Sequence, residues 1–140
     1  MPIVEEVPIG VGIGLVGRAG SYLIRQRPPG SAMAGRWEFP GGKCEPGESP
    51  EAATARECLE EVGVEVVVGA LFHQVVQRYP HGLIELHYYR CSTDGEPAPD
   101  SGFIWVPASE LANYHFPEAN DAVVASLARP WRPDIGPATR

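Results

Sequence analysis

Between Cys44 and Glu65 the chain sets seven glutamates (Glu45, Glu48, Glu51, Glu57, Glu60, Glu61 and Glu65) against one base, Arg56. The whole sequence carries 11 Lys and Arg, 18 Asp and Glu, and a net charge of -7. This window therefore holds six of the seven net negative charges. Like charge at that density opposes compaction unless a cation offsets it. The local signals nonetheless predict a helix over residues 50–62: Ser49 suits an N-cap, Pro50 the first helical position, Glu51 the positive end, and Gly63 a left-handed stop. Its expected apolar face is Ala52, Ala55, Cys58, Leu59 and Val62. On that helix Glu57, Glu60 and Glu61 stand at i, i+3 and i+4, which places three carboxylates side by side. Such a face is either solvated or a platform for a divalent cation. Magnesium takes hard oxygen ligands, keeps several waters, and is shared between carboxylates and substrate phosphates.

The segments around this helix read mainly as strands. Residues 8–16 alternate apolar side chains with glycine (Gly10, Gly12, Gly14), a pattern for a strand closely approached on one face. Gly17-Arg18-Ala19-Gly20 has hairpin-turn composition and leads into a strand at 21–25. Residues 28–35 read as a loop, followed by a short extended piece at 36–39 and a sharp turn at Pro40-Gly41-Gly42. Further strands are expected at 64–68, 71–77, 83–91 and 103–106, and a second helix at about 117–128.

With 140 residues, 44% of them hydrophobic, the length fits a single domain. We assign it to residues 1–129, with a Pro-rich, irregular tail over 130–140. The acidic balance disfavours long nucleic acid or an anionic membrane as the main partner. No apolar run approaches the ~20 residues of a membrane helix, and the first residues lack a basic and then apolar leader, so a cytoplasmic protein is expected. Cys44, Cys58 and Cys91 form no C-x-x-C pair, and His73, His81, His87 and His115 show no metal-ligand spacing.

The register Gly42, five residues, Glu48, seven residues, Arg56-Glu57-Cys58-Leu59-Glu60-Glu61-Val62-Gly63-Val64 resembles the Nudix box, G-x5-E-x7-R-E-U-x-E-E-x-G-U with U aliphatic. Cys58 at the first U position is the one departure, and a buriable thiol fits there. The resemblance implies an α/β fold, a Nudix-type α/β/α sandwich with a mixed β-sheet, and hydrolysis of a phosphoanhydride assisted by Mg²⁺ (Mn²⁺ is possible). It further implies Glu57 as first choice for the general base, with Glu57, Glu60, Glu61 and the carbonyl of Gly41 around the metal. Arg56 would hold a glutamate by a bidentate pair, in the family the residue matching Glu57. Glu48 can reach the cluster from the loop before the helix, and Asp100 is a candidate for an extra acid.

Two stretches outside the box resemble the MutT-type subgroup, whose members cleave 8-oxo-dGTP and related triphosphates to monophosphate and pyrophosphate. These are Arg36-Trp37-Glu38-Phe39-Pro40-Gly41-Gly42-Lys43 and Phe116-Pro117-Glu118-Ala119-Asn120. The resemblance implies that Asn120 binds the purine edge and that Arg27 and Phe39 contact the nucleotide. An Asn amide offers a donor and an acceptor in one plane, which can read an oxidised purine. Each also has a plainer reading: Phe116 as core, Asn120 as a helix cap, Arg27 as a loop cation. A pyrimidine triphosphate, a dinucleoside polyphosphate or a nucleotide sugar is the alternative substrate, and a non-catalytic nucleotide-binding domain is a further one. A monomer and a homodimer are equally compatible with the sequence.

Overall fold

The computed structural model describes residues 6–129; the tail assigned to 130–140 lies outside them. Its centre is β1 (Ile9–Arg18), which pairs in parallel with β6 (Gly82–Ser92) along eight residues, from Ile9 opposite Ile84 to Val16 opposite Cys91. On the other edge of β1, β4 (Gly41–Lys43) runs antiparallel to Val11–Ile13, and β2 (Ser21–Gln26) closes a hairpin at Gly17 and Arg18. β2 in turn pairs with β3 (Trp37–Glu38) and β7 (Ile104–Pro107), while β5 (Val67–Tyr79) flanks β6. All pairs except β1–β6 are antiparallel, so the seven-stranded sheet is mixed, as expected. Among the described residues no helix is long and apolar enough to cross a membrane.

Helix α1 (Pro50–Glu61) lies against the glycine face of β1. Ser49 caps it by accepting from the Ala52 N–H, and Val62 is its C-cap. The glycine alternation makes this approach possible: a Cβ on Gly12 would sit 2.2 Å from the Pro50 carbonyl oxygen and 2.5 Å from Thr54 Oγ1. The buried face of α1 differs from the expected one. Ala53, Thr54 and Cys58 are buried with Val62, whereas Ala52 and Leu59 are exposed. Thr54 can lie inward because its hydroxyl donates to the Pro50 carbonyl, 2.8 Å away. Cys58, the departure from the box, packs with Val16, Leu23, Val62, Val64, Tyr89 and Phe103.

The opposite face of the sheet carries the second core, where Leu15, Ile24, Leu86 and Tyr88 meet Phe116, Val123, Val124 and Leu127. Its cover is α2 (Asp121–Leu127), preceded by 3-10 turns at Ala108–Asn113 and Glu118–Asn120. The second helix is thus shorter than expected, because residues 118–120 close i→i+3 bonds on Pro117, with the Asn120 N–H 2.9 Å from its carbonyl. Two more expectations are corrected. Pro40-Gly41-Gly42 is not a free turn, since Gly41 and Gly42 enter β4 and pair with β1. The strands expected at 64–68 and 71–77 become one strand, β5, which begins only at Val67, leaves residues 64–66 as irregular chain, and carries Gly69 and Ala70 in a register shift rather than a turn.

Candidate active site

Helix α1 and strand β4 bring the acidic window against a glycine-lined edge. Gly41 donates its backbone N–H to Glu61 Oε1 at 3.0 Å. The other oxygen of Glu61 receives Arg25 Nη2, also at 3.0 Å. Arg25 reaches back to Glu38 through Nε at 2.8 Å, and Glu38 receives Arg27 Nη1 at 2.5 Å. A chain of alternating charge therefore runs from Arg27 through Glu38 and Arg25 to Glu61. Arg25 and Glu38 were not singled out from the sequence. Their signal is weak, since their meeting with Glu61 depends on the pairing of β2 with β3 and on the placement of α1.

Glu57 stands beside Gly42, where a Cβ would fall 1.8 Å from its Oε2. Only glycine leaves room for that carboxylate. Burial, reinforced by Glu60 and Glu48 and opposed by Arg56, raises the Glu57 pKa above the usual carboxylate value. Burial also raises that of Glu61, against the lowering effects of the Gly41 N–H and Arg25. Two carboxyls desolvated in this way, with Glu57 also repelling Glu61, are high in energy as anions, and a divalent cation relieves that cost. Glu60, more exposed, lies 3.2 Å from Arg56 Nη1. Among the described residues no three His, Cys, Asp or Glu side chains already converge as a ligand set. The donor chemistry nevertheless fits a hard cation: the donors are all oxygens, with the Gly42 cradle holding a Glu57 oxygen in place.

Arg56 takes a partner other than the expected one. Its Nε and Nη2 grip the two oxygens of Glu48, each at 2.8 Å, whereas Glu57 lies 3.8 Å from Nη1. This fork suits the planar guanidinium, and it holds Glu48 well below the usual carboxylate range, at about 2. Arg56 also donates to the Lys43 carbonyl at 3.1 Å, so it ties the loop before α1 to the end of β4. Glu48 also accepts from the Glu45 N–H, which braces the loop before α1, and its charge acts on Glu57. Asp100 is exposed and does not line the cavity described next.

A cavity of about 440 Å³ opens on the sheet face opposite α1 and extends to Gly41, Gly42 and Lys43. Arg27, Phe39 and Asn120 all line it, together with Tyr79, His81 and Tyr88. Phe39 stacks on Phe116 with ring centres 5.0 Å apart. Arg27 is pinned by the Ala32 carbonyl at 2.6 Å as well as by Glu38. Asn120 makes no side-chain cap to α2; its Oδ1 accepts from the Tyr88 hydroxyl at 2.8 Å, and its Nδ2 donates to the Pro117 carbonyl at 3.2 Å.

A family model described as the NUDIX domain matches residues 12–126, which include most of β1, the box and most of α2. The chain belongs to the Nudix hydrolase family. This Nudix hydrolase is 35% identical over 128 residues to the 8-oxo-dGTP diphosphatase of Escherichia coli (strain K12), an alignment covering 89% of this chain and 98% of that one. It is 42% identical over 79 residues to the CTP pyrophosphohydrolase of the same organism, covering 56% and 58% of the two chains. Among solved structures, the E. coli ORF135 protein superposes with a TM-score of 0.77 at 30% identity, covering 89% of this chain and 91% of that one. The α/β architecture of this Nudix hydrolase is therefore the family's own.

Proposed function

We propose that this Nudix hydrolase is a Mg²⁺-dependent nucleoside triphosphate pyrophosphohydrolase, acting in the cytoplasm on 8-oxo-dGTP or a related oxidised purine nucleotide and releasing the monophosphate and pyrophosphate. The observation that carries this reading is one continuous cavity with Asn120 among its lining residues and the Gly41–Lys43 edge, beside Glu57 and Glu61, at its border. A base seated against Asn120, between the aromatic groups of Phe39 and Tyr79, would extend its phosphates toward that edge. The 35%-identical relative that bears the 8-oxo-dGTP diphosphatase name supports the same substrate class.

In the proposed chemistry Glu57, Glu60, Glu61 and the Gly41 carbonyl would hold the metal. A divalent cation bound there neutralises phosphate oxygens and lowers the pKa of water. Glu57, seated beside Gly42 and 3.8 Å from Arg56 Nη1, would accept the proton of the attacking water. Arg25 and the Gly41 N–H fix the direction of Glu61, and Arg56 fixes the loop that carries Glu48. Arg27, already bound to Glu38, lines the nucleotide path and orients it.

A pyrimidine triphosphate is the second reading, favoured by the match to the CTP pyrophosphohydrolase. Turnover of 8-oxo-dGTP, dGTP, CTP and ADP-ribose with Mg²⁺, with products resolved, separates the two. The expected result is preference for 8-oxo-dGTP, release of pyrophosphate, and loss of turnover by about 10²–10⁴-fold in Glu57→Gln. Preference for CTP overturns the purine reading, and turnover undiminished in Glu57→Gln overturns the assignment of the base.

A further inference from the structure

An asparagine amide has two ends of nearly equal shape, so what it reads depends on which end its neighbours hold. At Asn120 the neighbours decide. The Pro117 carbonyl can only accept, and it lies 3.2 Å from Nδ2. In the flipped amide Oδ1 would face that carbonyl, oxygen against oxygen. With Nδ2 on Pro117, Oδ1 falls 2.8 Å from the Tyr88 hydroxyl, which must then donate its one proton. Tyr88 is not free to move away: it sits in the middle of β6 with no exposed surface, packed with Leu15, Leu86 and Phe116, and its ring centre is 5.8 Å from that of His73. Burial also pushes its phenol pKa well up, so the hydroxyl keeps the proton it donates.

We propose that Tyr88 is a positioning residue for substrate selection: its hydroxyl and the Pro117 carbonyl clamp the Asn120 amide in one orientation, leaving one N–H and one oxygen lone pair for the base in a fixed order. This inference rests on Asn120 reading the base, as proposed above. The fixed order suits a purine that presents an acceptor at position 6 beside a donor at N7, which is the edge of 8-oxoguanine. Guanine presents two acceptors there, so the clamped amide gains one bond and sets Oδ1 against a bare N7. Adenine presents the reverse order. The clamp thus rewards the oxidised base and holds the mismatch in place for the ordinary one.

The test is calorimetric titration of the full chain, without metal, by 8-oxo-dGMP and by dGMP, for wild type, Tyr88→Phe and Asn120→Ala. Tyr88→Phe keeps the ring and its packing and removes only the proton. It should weaken 8-oxo-dGMP by about tenfold, yet change dGMP by less than about twofold: Pro117 still sets which end of the amide is which, but without the Tyr88 bond the amide can tilt, losing its one bond to guanine while moving Oδ1 off the bare N7. In turnover the loss should fall on KM for 8-oxo-dGTP, with kcat nearly unchanged. Equal weakening of both nucleotides means a structural role only and overturns the proposal. So does an unchanged ratio in Tyr88→Phe when Asn120→Ala abolishes it, a result that leaves the base reading standing. If Asn120→Ala also preserves the ratio, the base reading falls and the clamp with it.

Discussion

At the scale of single residues, the site is built from carboxylates that folding places at a disadvantage. Glu57 and Glu61 have raised pKa values, mainly from burial. A carboxyl whose pKa is higher in the folded than in the unfolded state binds more protons when folded. Its contribution is favourable below the unfolded value, near pH 4.5, and is lost as pH rises through the folded value. Glu48 runs the other way: paired with Arg56 and lowered to about 2, it adds stability above pH 4.5 that is lost as pH falls. Glu57→Gln removes a penalty without removing a close ion pair, since Arg56 is 3.8 Å away and committed to Glu48. Thermal unfolding in chelator at about pH 7.5 should therefore show a higher midpoint for Glu57→Gln than for wild type. The gap should close below about pH 4, where the wild-type carboxyl is already neutral. A lower midpoint for the variant at neutral pH would mean that Glu57 earns its place by hydrogen bonding rather than by chemistry.

At the scale of elements, two glycines test how α1 is seated. A Cβ on Gly12 would meet backbone, the Pro50 carbonyl at 2.2 Å, so the start of the helix must shift. The nearest atoms to a Cβ on Gly42 all belong to the Glu57 side chain, from its Cγ outward, which can swing aside where backbone cannot. Gly12→Ala should cost about 1–3 kcal/mol in urea unfolding, whereas Gly42→Ala should remain folded and lose turnover because its carboxylate is displaced. Equal stability losses would show that β4 and α1 move together and that Gly42 is a packing position. These contacts also show why some elements were legible in the sequence and others were not. The glycine alternation of β1 and the capped α1 are local signals, and both stand close to their expected places. Strand β4 is three residues long and exists through pairing with Val11–Ile13, some 30 positions earlier. The inward turn of Ala53 and Thr54 likewise depends on those bare glycines, because they let the helix approach on its small side chains. Within the site the box could be read position by position. The Arg56–Glu48 fork, the Arg25–Glu61 bridge and the Tyr88–Asn120 bond join residues 8, 36 and 32 apart, and spacing alone selects none of them.

At the scale of the whole molecule, the imbalance of charge becomes an argument about what completes the fold. Six of the seven net negative charges lie in one window, and its only base is already bound to Glu48 and Glu60 and near Glu45 and Glu57. No positive group remains in that window for the Glu57 and Glu61 pair, and Arg25 supplies one from β2. A divalent cation that binds the folded form alone stabilises it by RT ln(1 + [L]/Kd), about 2.7 kcal/mol at a hundred times Kd. Simple screening by salt acts on every exposed charge and has no such saturable form. Unfolding midpoints measured against MgCl₂ should therefore rise in proportion to the logarithm of concentration, and exceed those in KCl at matched ionic strength. In a Glu57→Gln/Glu61→Gln double variant the two salts should act alike, since the remaining acids are exposed or paired with Arg56. If KCl matches MgCl₂ in the wild type, the window is a screened acidic surface, and the carboxylate cluster is not where the metal of the proposed reaction is held.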